Sequence, residues 1–337
     1  MLTGNPLDML GQALQSGNLT TSVIAVIAYA ILIAIIIGVF DYLFGWFERK
    51  VIARVQLRHG PTYVGKYGIL QNLADLIKLL AKENVIPANA DRIFFMTMMP
   101  SLLALSIFIV FLIPFSPTLQ ATNLGLGVLV IFTLLSFAPS MIFLAGHSTG
   151  NKFADISAQR SVIMLISYEL PLILVLVAVA VMANGFNLSN IVNAQSPWYF
   201  IILMPLGFVI FFITMLAEME RPPFDIREAD SELIAGWFTD YSSPYYALGL
   251  FLDYTRMLLG SLLISVIFLG GWLGPAILPP VAWLLIKAVV VAFFIVIVRV
   301  TTVRMRLNNL LRFGWIYLLP LSLINLVITY IVFIKGP

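Results

Sequence analysis

The sequence predicts an all-α polytopic membrane protein with about eight transmembrane helices and one cytoplasmic, interfacial amphipathic helix. Hydrophobic residues make up 61% of the 337 positions and charged residues only 10%, a balance that would make a water-soluble fold aggregate. Apolar runs of about 20 residues, the length of a helix that crosses roughly 30 Å of hydrocarbon, recur along the chain. Because these runs are continuously apolar and do not alternate, a β-barrel is disfavoured.

The eight apolar runs define the order of the predicted membrane helices. They cover about residues 22–44, 93–113, 124–145, 162–182, 198–216, 245–269, 280–298 and 313–333. No repeat with a period of about 20 to 50 residues is present, so we expect residues 1–337 to form a single integral membrane domain. The long cytoplasmic loops are expected at about 45–92, 146–161, 217–244 and 299–312.

The first twenty residues contain no Lys or Arg, so the first apolar run is expected to stay in place as a membrane helix. The chain contains no cysteine, which excludes disulfides and thiolate-held iron–sulfur clusters within it. His59 and His147 are too far apart in sequence to suggest a metal motif, and we expect no metal site. Electron carriers, if the protein serves redox chemistry, would therefore belong to a partner.

The distribution of basic residues predicts the orientation, because cytoplasmic loops of membrane proteins collect Lys and Arg. With eight helices, the basic loops share one side; their residues are Arg49, Lys50, Arg54, Arg58, Lys66, Lys78, Lys82, Arg92, Lys152, Arg160, Arg221, Arg227, Arg299, Arg304, Arg306 and Arg312. The opposite connections, at 116–124, 184–197 and 270–279, carry no charge. Both termini are then outside and the long loops cytoplasmic. The net charge of +3 is explained by topology, and no nucleic-acid partner is expected.

Residues 66–82 have the pattern of a helix that lies in the membrane interface. Apolar residues repeat there at helical spacing while polar residues cluster on the other side. The apolar members are Ile69, Leu70, Leu73, Leu76, Ile77 and Leu80. This helix either anchors the loop or lines the mouth of a cavity that is accessible to lipid.

Charges inside apolar runs are costly, so each suggests a function or a partner. Glu169, which precedes Pro171, and Lys287 have no partner nearby in sequence, and a relay role competes with a cross-helix salt bridge for both. Asp253 and Arg256 are three residues apart and are predicted to form an ion pair on one helix face.

The stretch AEMERPPFDIREADSELIAG, residues 217–236, concentrates the acids. Six of the sixteen Asp and Glu residues lie there: Glu218, Glu220, Asp225, Glu228, Asp230 and Glu232. The prolines at 222 and 223 must end the fifth helix. If a helix resumes after them, Asp225, Glu228 and Glu232 share one face, and in a dry setting such a row would hold and pass protons. The interleaved apolar residues predict partial burial, against the alternative of a solvated acidic loop.

Five stretches together resemble the family of NADH dehydrogenase subunit 1, a membrane component of respiratory complex I, and its archaeal relatives. They are WFERKVIARVQLRHGPTYVGKYGILQNLADLIKLLAKE, GHSTGNKFADISAQR, ISYELP, AEMERPPFDIREADSELIAGWFTDYSS and VRMRLNNLLRFGWIYLLPLSLINL. They occur in the family's order and cover nearly every cytoplasmic loop.

The resemblance implies a subunit at the heel of an L-shaped, proton-translocating NADH:quinone-type oxidoreductase in a prokaryotic cell membrane. It implies a quinone chamber, with quinone as substrate, and a chain of buried acids linked to proton pumping. By motif the acids would be Glu169, Glu218, Asp225, Glu228, Asp230 and Glu232. Phe47, Arg49, Arg54 and Arg58 would lie at the chamber or at the arm contact. The implied partners are peripheral-arm iron–sulfur and catalytic subunits, small membrane subunits, antiporter-like subunits and lipid.

The acidic motif departs from the usual form of the family at several positions. Glu220 stands where Asn is usual, Pro222 where Ala is, Arg227 where Pro is and Asp230 where Glu is. Two alternatives follow. The chain could be the related subunit of a membrane-bound hydrogenase or sulfur-reducing complex, which has no quinone. It could also, in another class, be a stand-alone proton or ion transporter.

Overall fold

The computed structural model describes residues 6–14, 19–227 and 230–334, apart from a few side chains within these ranges, those of Asp230 and Ser231 among them. All regular elements of the described residues are helical. The α-helices are α1 Pro6–Leu14, α2 Leu19–Val55, α3 Gln71–Ala81, α4 Arg92–Leu112, α5 Gly127–His147, α6 Lys152–Ala183, α7 Leu188–Ala194, α8 Phe200–Leu203, α9 Pro205–Glu218, α10 Asp230–Leu233, α11 Ser243–Phe268, α12 Pro280–Thr301, α13 Leu307–Arg312 and α14 Leu319–Ile334. A π-helical segment, Phe313–Leu318, joins α13 to α14.

Seven helical spans among the described residues are long and apolar enough to cross a membrane. They are α2, α4, α5, α6, α11, α12 and the continuous span 307–332 that contains α13 and α14. Each coincides with one of the eight apolar runs of the sequence. The predicted all-α polytopic membrane fold is therefore confirmed.

The fifth predicted membrane helix, residues 198–216, is not a single helix. Met204 has φ −137° and ψ 61°, which separates α8 from α9. The break follows from Pro205, because proline has no N–H to donate and disfavours helical geometry in the residue before it. The Met204 sulfur accepts hydrogen bonds of 3.3 Å from Asn325 and Thr329 of α14. α9 alone, with 14 residues, is about 21 Å long and too short to cross a bilayer unaided.

Two helices extend well beyond their apolar runs into predicted loops. α2 continues to Val55, so its last turns carry the basic residues expected in the loop 45–92. α6 begins at Lys152, so most of the predicted loop 146–161 is its first three turns. The start of α6 is fixed by Asn151, whose side chain accepts a 3.0 Å hydrogen bond from the backbone of Phe153. Charged residues are good helix formers, and hydropathy alone does not mark such ends.

α11 lies at the centre of the bundle and packs against α2, α4, α9 and α12. Its most apolar stretch is 78% buried, compared with 22% for the last membrane span. Two glycines allow the close packing: a Cβ at Gly249 would collide with Phe238, and a Cβ at Gly260 would collide with Met219. Any charged residue on α11 is therefore forced to find its partners inside the protein.

The predicted amphipathic helix is confirmed as α3, and it presents its polar side to the rest of the chain. Asn72 donates a 2.9 Å hydrogen bond to the carbonyl of Tyr42 on α2, and Asp75 forms an ion pair with Arg49 at 2.6 Å. The apolar side is open, with Ile77 58% and Leu80 57% exposed. The described part of the chain thus leaves the apolar stripe of α3 uncovered, and its contact with lipid stays a prediction.

Candidate functional site

The acidic stretch after α9 folds back into the protein as an irregular loop over residues 219–227. Glu220 has a positive φ of 53°, which reverses the chain at the end of the helix. Phe224 and Ile226 are buried and anchor the loop in the core of the bundle. The backbone N–H of Met305 donates to the carbonyl of Pro223, at 3.0 Å, and ties the loop to the last basic segment. The prediction of partial burial is confirmed for this part of the acidic stretch.

A buried carboxylate, Glu48, collects two arginines from distant segments. Glu48 lies in the cytoplasmic extension of α2 and is only 2% exposed. Its Oε1 accepts from Arg221 at 3.3 Å and from Arg299 of α12. The guanidinium of Arg221 also lies 5.3 Å from the ring centre of Tyr254 on α11. Glu48 therefore joins the acidic loop to the ends of two membrane helices.

A second set of ion pairs surrounds Glu220. Its Oε2 accepts from Arg227 and, at 3.1 Å, from Arg256 of α11. Arg227 also reaches Asp253 of α11 at 3.5 Å and packs its guanidinium 5.1 Å from the ring centre of Trp237. We call these three carboxylates and four arginines, namely Glu48, Glu220, Asp253, Arg221, Arg227, Arg256 and Arg299, the ion-pair cluster.

A polar cavity of about 160 Å³ adjoins the ion-pair cluster. Asp225 lines this cavity together with Asp253 and Arg299. Burial raises the pKa of Asp225 above its ordinary value, although Arg227 opposes the shift, and the charge of Asp253 adds to it. At about 30 Å³ per water, the cavity has room for a few water molecules among charged groups. A carboxyl group there can exchange protons with water.

Two acids continue from the cluster towards α5, and neither of them forms an ion pair among the described residues. Glu218, the last residue of α9, is 4% exposed, and its Oε1 has no hydrogen-bond partner within the described chain. Tyr168 and Glu169 of α6 lie close enough to act on it electrostatically. Glu169 accepts a 2.6 Å hydrogen bond from Ser136 on α5. Glu169 is half-buried, so the acids extend from the cavity to the edge of the bundle.

The predicted helical row of Asp225, Glu228 and Glu232 is wrong. Asp225 lies in the irregular loop, and the helix that follows, α10, has only four residues. Glu232 is exposed and forms an ion pair with Arg160 at 2.6 Å, which holds the pKa of this carboxyl below its ordinary value. Glu228 and the side chain of Asp230 lie outside the described residues. The loop is irregular because its backbone follows the anchors Phe224 and Ile226 rather than a helical repeat.

Two further predictions about charges within apolar runs need correction. Asp253 and Arg256 do not pair with each other; Asp253 pairs with Arg227, and Arg256 pairs with Glu220, because the loop after α9 supplies closer partners. Lys287 has partners that are backbone atoms, since its ammonium donates to three carbonyls at 2.6 to 3.0 Å. These carbonyls belong to Leu269, Gly271 and Leu273, which follow α11. The bonding of Lys287 is therefore that of a structural clasp.

The residues assigned to the first basic segment separate into three positions. Phe47 and Arg54 line an apolar groove of about 340 Å³ on α2, which Trp46 and Tyr67 also line. Arg49 faces α3 instead, where partial burial opposes ionisation of Asp75 but hydrogen bonds from Arg49 and Gln71 hold its pKa below the ordinary value. Arg58 lies beyond the end of α2, is exposed, and donates to the side chain of Gln56 at 2.7 Å. Only Phe47 and Arg54 meet at one surface.

Sequence reasoning did not assign a role to several members of the site. Glu48 was missed although it is the one acid in the run WFERK, where it interrupts a basic segment at helical distance from the membrane. Glu220 and Arg227 stand out in the sequence only as departures from the usual motif, yet they bond to each other. A simultaneous gain of an acid and a base seven residues apart is a signal of pairing that the sequence does contain.

Comparisons with known proteins agree with this architecture. A family described as NADH dehydrogenase matches residues 27–330. In Syntrophobacter fumaroxidans, the second H-type component of NADH-quinone oxidoreductase is 40% identical over 93% of this chain and 97% of its own length. The H-type component of the same enzyme in Dehalococcoides mccartyi is 41% identical over 85% of this chain and 81% of its own. The H-type component of F(420)H(2) dehydrogenase in Methanosarcina acetivorans is 38% identical over 84% and 86%. This chain is a multi-pass membrane protein that belongs to the NADH dehydrogenase family.

Proposed function

We propose that this chain is the membrane subunit of a complex I-like oxidoreductase, in which it forms part of a quinone chamber and couples electron transfer to proton translocation. The row of acids supports the proposal: Asp225 and Asp253 at the cavity, Glu218 buried in the middle, and Glu169 at the edge of the bundle. The names of the relatives, which include quinone and F(420)H(2) oxidoreductases, point to the same class.

The coupling would be electrostatic. A quinone that is reduced takes up protons and passes through states with more negative charge, and such a charge raises the proton affinity of carboxylates nearby. The effect is large in a dry interior, because opposite or like charges interact more strongly at low dielectric constant. Glu218 suits this role since it is buried and makes no ion pair among the described residues. A carboxyl without a fixed counter-ion is free to change its charge.

The groove on α2 is the part of the proposed quinone path that this chain provides. Its wall carries Trp46, Phe47 and Val51, which suit an apolar tail, while Lys50 and Arg54 bring cations to its rim. The quinone would be a substrate shared with partner subunits, and this chain would bind no cofactor or metal alone. Iron–sulfur clusters would lie in the partners, because the chain has no cysteine to hold them.

The surroundings of the chain follow from charge and exposure. The basic loops are expected in the cytoplasm of a prokaryotic cell, with both termini outside, and would dock the peripheral-arm iron–sulfur and catalytic subunits. Glu169, at the edge between α5 and α6, suits an interface with small membrane subunits that lead on to antiporter-like subunits. The open stripe of α3 suits lipid. Nucleic acid has no place in this assembly.

The proton path is tested with Glu218→Gln and Glu169→Gln in the whole complex. Glutamine keeps the size of the side chain but cannot release a proton, so proton translocation coupled to turnover should fall at least about tenfold while the complex still assembles. Glu83→Gln is the matched control, because Glu83 is an exposed acid outside the row. Normal proton translocation with normal quinone reduction in both variants would remove these residues from the path.

The quinone assignment is tested by displacement. Inhibitors of the complex I quinone site should release bound quinone from the purified complex, and Phe47→Trp or Arg54→Ala should slow quinone turnover more than electron delivery to an artificial acceptor. Lys82→Ala, at the exposed end of α3, serves as the control. A complex that holds no quinone, ignores these inhibitors and evolves hydrogen or reduces polysulfide would instead be the quinone-free relative.

A further inference from the structure

Arg256 is a buried cation that lies between two acids and bonds to only one of them. It is 4% exposed, and its Nη1 donates to Glu220 at 3.1 Å. Its Nη2 has no hydrogen-bond partner among the described residues, and the same holds for Oε1 of Glu220 and Oε1 of Glu218. A guanidinium offers five N–H donors, and leaving one buried without a partner is unfavourable. The unmade bonds of one base and two acids are therefore close together in the core.

Glu218 senses charged or titratable groups from each of the neighbouring segments. These are Tyr168 and Glu169 from α6, Glu220 from the turn after α9, and Arg256 from α11. Arg256 is the cation among them and acts on Glu218 more strongly than Glu220 does. The charge of Arg256 is thus divided between Glu218, which it influences without bonding, and Glu220, which it bonds.

We propose that Arg256 is a positioning residue that shares its charge between Glu220 and Glu218, so that the proton on Glu218 controls the ion pairs at the cavity. The inference rests on the proposed role of Glu218 in proton transfer. With Glu218 protonated, Arg256 stays on Glu220, as in this structure. When Glu218 loses its proton towards Glu169, the second nitrogen of Arg256 bonds to Glu218.

The shift of Arg256 has a consequence on the other side of the cluster. Glu220 then depends more on Arg227, which is drawn away from its longer, 3.5 Å contact with Asp253. Asp253 lines the cavity, and with a weaker cation nearby it gains proton affinity. One proton leaves Glu218 and one is taken up at Asp253, so the arginines carry the signal between two acids and remain charged throughout.

The test compares Arg256→Gln with Glu220→Gln in the assembled complex, with the pH midpoint of proton translocation as readout. Removing the cation should move the midpoint up by about one pH unit. Removing the neighbouring anion, which also frees Arg256 for Glu218, should move it down by about the same amount. Arg256→Lys, which retains the charge, should stay near the wild type. Shifts of the same sign, or no shift in either variant, would overturn the proposal, because a merely structural role moves neither midpoint.

A double variant decides the matter if a single variant fails to assemble. Glu220→Gln with Arg256→Gln buries no unpaired charge from this pair, so assembly is expected. Because the cation outweighs the anion at Glu218, the midpoint of the double variant should lie above that of the wild type. A midpoint at or below the wild type would overturn the sharing. If Glu218→Gln itself leaves translocation intact, the proposed function fails; if it impairs translocation and these shifts are missing, only the role of Arg256 fails.

Discussion

The ion-pair cluster and the neighbouring acids Glu218 and Glu169 use the same chemical group in opposite ways. In the cluster, Glu48 and Glu220 each accept from two arginines. Glu218 and Glu169 have no ion pair among the described residues, and Glu169 relies on the hydroxyl of Ser136. A carboxylate that two guanidinium groups hold stays charged over a wide pH range. A buried carboxyl without a counter-ion exchanges its proton readily with a change in local charge.

The difference indicates which acids are structural and which are suited to carry protons. Carboxylates of the cluster connect the loop 219–227 to α2, α11 and α12, so their charge stabilises the arrangement of segments. Charge on Glu218 and Glu169 joins no segments through an ion pair. Substitutions in the two regions should therefore separate stability from proton transfer.

The largest effect on stability is expected from Arg227→Met. It removes one partner from Glu220 and the partner of Asp253, both of which stay in a poorly hydrated region. Breaking a buried pair in this way costs about 3 to 5 kcal/mol. The loss is measured as a lower unfolding temperature of the purified complex and a smaller amount of assembled complex in membranes. A variant as stable as the wild type would mean that water reaches the cluster freely and that its pairs are not structural.

A smaller loss is expected from Lys287→Met, which tests whether a cation in an apolar run belongs to the proton path. The variant deprives three carbonyls after α11 of a charged donor, and hydrogen bonds to charged groups contribute about 1.5 to 3 kcal/mol. We expect lower thermal stability with an unchanged number of protons moved per electron pair. Reduced proton translocation at unchanged stability would place Lys287 with Glu218 rather than with the cluster.

Asp225→Asn and Asp75→Asn should change stability with opposite signs, each on the order of 1 kcal/mol. The folded-state pKa of Asp225 is raised by burial, so the unfolded chain ionises first and the free energy of unfolding falls as pH rises through that window. Asn should therefore stabilise at neutral pH, and the gain should vanish in acid. The pKa of Asp75 is lowered in the folded state, so its contribution is present at neutral pH and lost as pH falls. Melting temperatures measured across pH check both signs, and matching signs would contradict the assignment of Asp225 to the dry cavity.

The smallest effect is expected from Glu232→Gln. This acid forms an ion pair with Arg160 at 2.6 Å, but its side chain is 59% exposed. Exposed pairs contribute little and are screened by salt. Melting temperature and proton translocation should both stay at wild-type values, at low and at high ionic strength. A marked loss of translocation would return Glu232 to the row of acids.

The sequence predicted which segments enter the membrane because hydrophobic burial depends on local composition. Runs of about 20 apolar residues stand out without any knowledge of neighbours. The ends of α2 and α6 were missed because charged residues continue a helix as well as apolar ones do. The break at Met204 had a visible signal in Pro205, inside an otherwise apolar run.

The candidate site was harder to predict because its bonds join segments that are far apart in sequence. The pairing of Asp253 with Arg256 follows from helical spacing, but Glu220, 36 residues away, takes Arg256 instead. The partners of Lys287 are backbone carbonyls, which no side-chain pattern reveals. Burial of Glu218 was anticipated from the apolar residues around it, whereas the isolation of its carboxyl from the arginines depends on the irregular path of the loop.

The pairing of Glu48 has a consequence for how the chain is synthesised and inserted. Arg299 follows Glu48 by 251 residues. At ~5 to 20 residues per second, a ribosome needs roughly 13 to 50 seconds to produce the second partner of a carboxylate that it made early. During that time the cytoplasmic end of α2 must stay hydrated or be shielded by an insertion factor. Closure of the Glu48 pairs can then occur only when α12 has entered the membrane, which makes this contact a late checkpoint of biogenesis.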